Sequence, residues 1–234
     1  MAATIASYSS PPVASGSILF GTNLSNVLTT GITAPGTDAC TYECWFYATS
    51  FQGYGVIFNS WTGGDQASDG IIFQALSFTY YATGQLGLVN TGSPGASLNT
   101  WTHVAVTKAA GSAVDSTKIW VNGVLRATST VNIGTLNGTQ LALGGRVYTG
   151  ILGYISNFRY VKGVQVYTGT FTPPTSPLTD TQSAGTNISA ITAGQTQLLL
   201  NTATAGTYLT DSSSYARTMT PTGSITYSAS NPFS

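Results

Sequence analysis

Hydrophobic and polar positions alternate with period two along nearly the whole chain. The runs YECWFYAT (42–49), YGVIFNS (54–60), DGIIFQAL (69–76), FTYYAT (78–83) and QLGLVN (85–90) carry the pattern first. WTHVAVTK (101–108), TKIWVNG (117–123), VLRATSTV (124–131), QLALGG (140–145), GYISNFRYV (153–161) and TQLLLN (196–201) continue it. β-Branched and aromatic residues fill these runs, and Gly, Asn, Pro and Ser clusters separate them, as strands and turns require. Asn122-Gly123 lies between two alternating runs. It is the dipeptide favoured by a type I′ hairpin turn, whose two central residues need positive φ. Outside the strands, only a short helical turn near Val164–Tyr167 is expected. Many short strands with frequent turn signals predict an all-β fold of two antiparallel sheets packed face to face.

The same alternation sorts the chemically capable residues. In WTHVAVT, Trp101, His103, Ala105 and Thr107 share one face, and Thr102, Val104 and Val106 the other. The valines mark the core side. His103 is the only histidine, and a catalytic histidine needs a nucleophile and an orienting acid. No GxSxG elbow or comparable motif supplies them, so His103 reads as a structural or surface residue. Glycoside hydrolysis needs two carboxylates at a defined separation. The chain has one glutamate, Glu43, and six scattered aspartates. Glu43 reads as a lone hydrogen-bonded sheet residue, Trp45 and Trp120 as core, and the chain as non-enzymatic.

Composition changes the picture of the surface. Charged residues make up 6% of the chain and the formal net charge is +0, against roughly 25% charged in average domains. No basic block exists, which removes nucleic acid as a partner. Little charge repulsion keeps copies apart, which suits dense packing against neighbours or a homo-oligomer. The N-terminus has neither a basic region nor an apolar stretch, so it does not read as a signal peptide. No apolar run approaches the roughly 18 residues of a membrane helix. Pro11 and Pro12, among Ser and Ala, predict an extended arm over residues 1–16, either a floppy leader or an arm that docks on a neighbour. Cys40 and Cys44, four residues apart in one strand, lie roughly 13 Å apart. That is beyond disulfide reach, and two cysteines make no zinc site.

Three ligand readings remain beside their blander counterparts. GGDQASDG (63–70) places Asp65 and Asp69 in one glycine-rich loop, where hard oxygen ligands suit Ca²⁺. Solvated turn residues explain the same pattern. Trp61, Tyr80, Tyr81, Tyr148 and Tyr167 fall in or near predicted loops and edges, where exposed aromatics stack on sugar rings. Core packing is the ordinary use of such residues. Arg146, Arg159 and Lys162 cluster in sequence and are candidate contacts to a partner's acidic residues, or charges that protect a strand edge.

YECWFYATSF, NTWTHVAVTK, KIWVNGVLRAT, LALGGR and GYISNFRYVKGVQVYTGTFTPPTSPLT together resemble the concanavalin A-like, laminin-G-like jelly rolls in order and spacing over residues 18–178. That resemblance implies a jelly-roll sandwich with a shallow concave face, in a family where some members bind glycans or calcium and others only assemble. The segment TQLLLNTATAGTYLTDSSSYARTMTPTGSITYSASNPFS resembles a tail found in structural proteins of marine bacteriophages, cyanophages in particular. The expected layout is an arm (1–16) and a single domain (17–234). That domain comprises a main sandwich (17–179), a linker (180–195) that wanders over the surface, and C-terminal strands (196–234) added to the same sandwich. The resemblance implies a virion-surface component with other virion proteins as partners. The chain has no coiled-coil heptads, collagen-like repeat or separate anchoring domain. A capsid decoration protein is therefore the first expectation, and a tail-fibre or receptor-binding protein that recognises host glycans the alternative.

Overall fold

A computed structural model of the chain describes residues 15–21, 26–50, 55–61, 69–74, 77–82, 85–92, 95–111, 113–133, 135–144 and 151–234. Among these residues the regular structure is all strand. The first half holds β1 (Ser17–Leu19), β2 (Val27–Thr29), β3 (Cys40–Ser50), β4 (Gly55–Trp61), β5 (Asp69–Gln74), β6 (Ser77–Ala82) and β7 (Gln85–Asn90). The second half holds β8 (Thr102–Lys108), β9 (Thr117–Val121), β10 (Val124–Thr128), β11 (Gln140–Leu143), β12 (Leu152–Lys162), β13 (Thr196–Leu200), β14 (Thr220–Thr222) and β15 (Thr226–Ser228).

Sheet A runs β10-β9-β8-β3-β12-β1-β15, with β13 also paired to β12. Sheet B runs β14-β2-β11-β4-β5-β6-β7. Every strand pairing is antiparallel. The two sheets are the sandwich of a concanavalin A-like jelly roll. The C-terminal strands join both: β13 and β15 extend sheet A, and β14 extends sheet B.

The core follows from alternation. On β3, Cys40, Tyr42, Cys44, Phe46 and Ala48 point between the sheets, joined by Val104 and Val106 of β8 and Ile119 and Val121 of β9. Tyr42 stacks between Phe58 of β4 and Tyr160 of β12, at ring centroids 4.5 and 4.4 Å. Cys40 and Cys44 are free and buried. Burial first, and then the charge of Glu43, push the Cys44 thiol well above its ordinary range.

β12 is the exception that shapes the outer face. Ile155, Phe158 and Tyr160 all face the core, a spacing that strict alternation cannot give. The register slips between Ser156 and Arg159, and Asn157 there has a φ of 53°. This β-bulge is held by its own side chain. Asn157 Nδ2 donates to Ser156 Oγ and its Oδ1 accepts from Leu178 N, both at 2.9 Å. The bulge also divides the long strand: β1 pairs with residues 154–155 and β13 with 158–161.

The chain between β12 and β13 differs from both expectations for it. Residues 164–167 carry no helix. Two β-branched valines favour extended backbone, and Thr41 Oγ1 clamps it by donating to Val164 O and accepting from Val166 N. Residues 180–195 do not wander. Gln182 bridges Ile191, Gly185 bridges Ile188, and Tyr167 bridges Ile188. Val166, Tyr167, Phe171 and Ile191 close over Ala105, Trp120 and Val161, forming a second apolar cluster on the outer face of sheet A. Trp120 is thus buried as expected, but outside the space between the sheets.

Candidate functional site

The outer face of sheet A gathers the chain's most reactive groups. Alternation turns Glu43 and Trp45 of β3 and His103 of β8 outward. The bulge in β12 brings Arg159 directly opposite Glu43. Tyr167, Thr179 and Gln182 arrive with the covering segment.

One carboxylate collects four donors. Glu43 Oε1 accepts from Arg159 Nε at 2.9 Å and Nη2 at 2.6 Å. Its Oε2 accepts from the Tyr167 hydroxyl at 2.6 Å and faces His103 Nε2 at 3.2 Å. Arg159 spends its remaining reach on Thr179 O (3.0 Å) and Gln182 Oε1 (2.7 Å). Gln182 Nε2 in turn donates to Ser189 O at 3.1 Å. Around this polar knot, His103 meets Tyr167 and Phe171 edge-on, and those two rings stack at 3.6 Å. The side chains of Glu43 and His103 are 0% exposed and that of Arg159 1%.

Burial pushes the Glu43 carboxyl up. The Arg159 guanidinium, the His103 ring and the Tyr167 hydroxyl together overcome that penalty and hold it down at about 2. Burial, then the adjacent carboxylate, push the Tyr167 hydroxyl well above its ordinary range. A general acid must reach a substrate proton and carry one to give. Glu43 does neither: it is ionised, saturated with donors and sealed from solvent. Its neighbours are a guanidinium, an imidazole and a phenol rather than a second carboxylate. The arrangement fastens the 163–191 segment to sheet A.

Two clefts flank this knot, on either side of residues 172–177. One, of about 230 Å³, is lined by Tyr167, Pro174, Pro177 and Gln182 among others. The second, of about 470 Å³, is floored by Trp45 and walled by Pro173, Pro174, Pro232 and Phe233. Trp45 was expected in the core. It is instead half-buried on the outer face, because it shares the parity of Glu43 rather than that of Tyr42 and Phe46. His103 packs on one side of it at 5.3 Å and Phe233 meets it edge-on at 6.1 Å. The alternating pattern around Glu43 carried this signal.

The candidates named from sequence scatter. Tyr80 is 0% exposed and packs in the core, which removes it as a sugar platform; it shares the inward parity of Phe78, two residues before it. Arg159 is not a surface contact, since Glu43 claims it. Tyr167 is buried in the same network rather than exposed. Lys162 pairs with Asp38 at 3.3 Å on the surface. The backbones of Trp61, Asp69 and Tyr81 come to one end of sheet B: Ser60 pairs with Asp69, and Gly70 with Tyr81. Pro11, Pro12, Asp65, Arg146 and Tyr148 lie outside the described residues. Among the described residues no group of three His, Cys, Asp or Glu is placed to hold a metal ion.

Residues 21–175 match the Laminin G 3 model of the concanavalin A-like lectin/glucanases superfamily. The chain belongs to that superfamily. No curated protein matches it by sequence. Among solved structures, a native heptameric SAP-like pentraxin from Limulus polyphemus aligns with a TM-score of 0.61 at 12% identity, over 96% of this chain and 100% of that one. A Bacteroides ovatus protein proposed to bind carbohydrate aligns with a TM-score of 0.59 at 17% identity. That alignment covers 93% of this chain, which spans 60% of the Bacteroides protein's length. At these identities the likeness is one of fold.

Proposed function

We propose that the chain is a non-enzymatic recognition domain carried on the surface of a bacteriophage particle, and that it binds carbohydrate without cleaving it. The observation that carries this reading is the state of Glu43. In a fold shared with lectins and glucanases, the one glutamate is spent as a structural anchor, which favours recognition over cleavage. The Bacteroides neighbour supports carbohydrate as the ligand class. The sparse charge and the phage-like C-terminal segment support display on a virion.

The test is a glycan array probed with the purified protein, followed by chromatography of any glycan that binds. The expected result is retention of a glycan that is recovered intact. Recovery of shortened or hydrolysed glycan overturns the non-enzymatic reading. An array without any retained glycan overturns the recognition reading.

A purely architectural role, as a capsid decoration protein, is the second reading. Seven basic and seven acidic residues in 234 leave a surface suited to close packing with many neighbours. Quantitative mass spectrometry of purified virions separates the placements. Hundreds of copies per particle mean decoration of the head, whereas a few to a few dozen mean a tail or fibre component. Absence from virions removes both.

A further inference from the structure

We infer that the Trp45 cleft on the outer face of sheet A is the carbohydrate site, and that it takes a neutral sugar ring stacked on the Trp45 indole. This rests on the recognition reading above and names its location and ligand class.

Four observations converge. The cleft holds about 470 Å³, inside the roughly 300–1,000 Å³ of small-molecule sites. Its floor is a half-buried tryptophan, and an aromatic face is what the apolar face of a pyranose packs against. The wall residues are three prolines and Phe233, with Thr172, Thr175 and Ser234 contributing hydroxyls. Stiff, shape-holding walls with donor–acceptor groups suit a ligand that is apolar on its faces and hydroxylated around its rim. None of the lining side chains is charged, which selects against acidic sugars, since no cation is present to offset their desolvation.

The Trp45 indole N–H differs from that of Trp120. It is buried with no hydrogen-bond partner among the described residues. Buried indole N–H groups ordinarily find an acceptor. Trp120, the comparison within this chain, gives its Nε1 proton to Thr107 Oγ1 at 2.9 Å. Because the Trp45 N–H is sealed from solvent, it is not the group that meets a ligand, and the site is assigned on the indole face and the cleft walls. A proline-rich peptide fits less well, because the cleft already supplies three prolines as walls, where proline-recognition grooves are lined by aromatic residues.

The experiment is titration of the purified protein with maltose, cellobiose, lactose and glucuronic acid, followed by the indole N–H resonances in NMR spectra. Trp45 is assigned by Trp45→Phe, and affinity is also measured for Trp45→Ala and Phe233→Ala. The expected result is that at least one neutral disaccharide shifts the Trp45 resonance. Trp45→Ala then weakens it at least tenfold and Phe233→Ala several-fold, with unchanged far-UV spectra. The wild-type resonance shift keeps the test independent of whether Trp45→Ala folds. Saturable disaccharide binding that leaves the Trp45 resonance unmoved overturns this site and leaves the recognition reading standing. Glucuronic acid binding as tightly as the neutral sugars overturns the neutral-ligand assignment. No binding by any of these sugars, alongside a glycan array that retains ligands, overturns the site alone. A blank array as well overturns both.

Discussion

The two faces of sheet A are buried by different means. The inner face meets a second sheet, and its residues are Tyr42, Cys44, Phe46, Val104, Ile119 and Phe158. The outer face meets an irregular segment, and there the same strands bury Glu43, His103 and Arg159 beside an apolar patch around Trp120. Apolar packing tolerates sliding and substitution if volume is kept. A carboxylate with four donors does not, because each displacement strands a buried charge or dipole. A segment that adds no strand to sheet A is therefore held in one position by a polar knot. The hairpin turn assists: Phe171 N donates to Gly123 O at 3.0 Å. A side chain at Gly123, where φ is 78°, would overlap the Phe171 carbonyl.

Adjacent residues test this contrast most severely. Phe158 faces the inner core and Arg159 the outer knot. Phe158→Ala is expected to cost about 3–5 kcal/mol through its cavity. Arg159→Ala is expected to cost about as much, 3–5 kcal/mol, by leaving Glu43 buried without its counter-charge. Urea denaturation measures both. A loss under about 1 kcal/mol for Arg159→Ala would show that the outer face is ordinary surface.

Acid separates the faces next. The Glu43 carboxyl is lowered from 4.5 to about 2, so between those values the unfolded chain takes up a proton that the folded chain refuses. Its contribution is fully present above about pH 4.5 and is lost as the pH falls toward 2. It amounts to roughly 3 kcal/mol. Urea midpoints of the wild type and Glu43→Gln, taken from pH 6 downward, should converge across that window. Parallel curves would remove Glu43 as the source.

Tyr167→Phe deletes one charge-assisted hydrogen bond and keeps the stack on Phe171. A loss of about 2 kcal/mol is expected, with faster proteolytic cleavage within 163–191 than within the strands. Equal protection of both regions would argue against a separately fastened segment. The smallest effect is expected at Lys162→Ala. Its ion pair with Asp38 is 40% and 56% exposed at the two side chains, so thermal denaturation should register less than about 1 kcal/mol.

Much of the inner face was legible in the chain. The alternation of β8 placed Val104 and Val106 in the core, although Trp45 of β3 and Trp120 of β9 were expected there too, and Asn122-Gly123 forms the expected turn with φ of 49° and 78°. His103 was placed on the face opposite the valines, and there it lies. The outer face was not legible, because its contacts join residues far apart in sequence. Glu43 meets Arg159, Tyr167 and His103 across separations of 116, 124 and 60 residues. Arg159, in isolation, looks like a surface cation, and the bulge that reverses its face appears only as apolar residues spaced by three in ISNF. The strands β1, β2, β14 and β15 are three residues each, too short for period two to establish itself.

Local physics thus decided from sequence alone that the chain is a two-sheet β-sandwich and where most strands run, since side-chain parity and turn chemistry act over a few residues. Only the tertiary structure decided what covers the second face of sheet A, which charges are spent inside it, and that Trp45 is left at a cleft. Those outcomes depend on a bulge and on a segment arriving more than a hundred residues later, and no local pattern encodes that encounter.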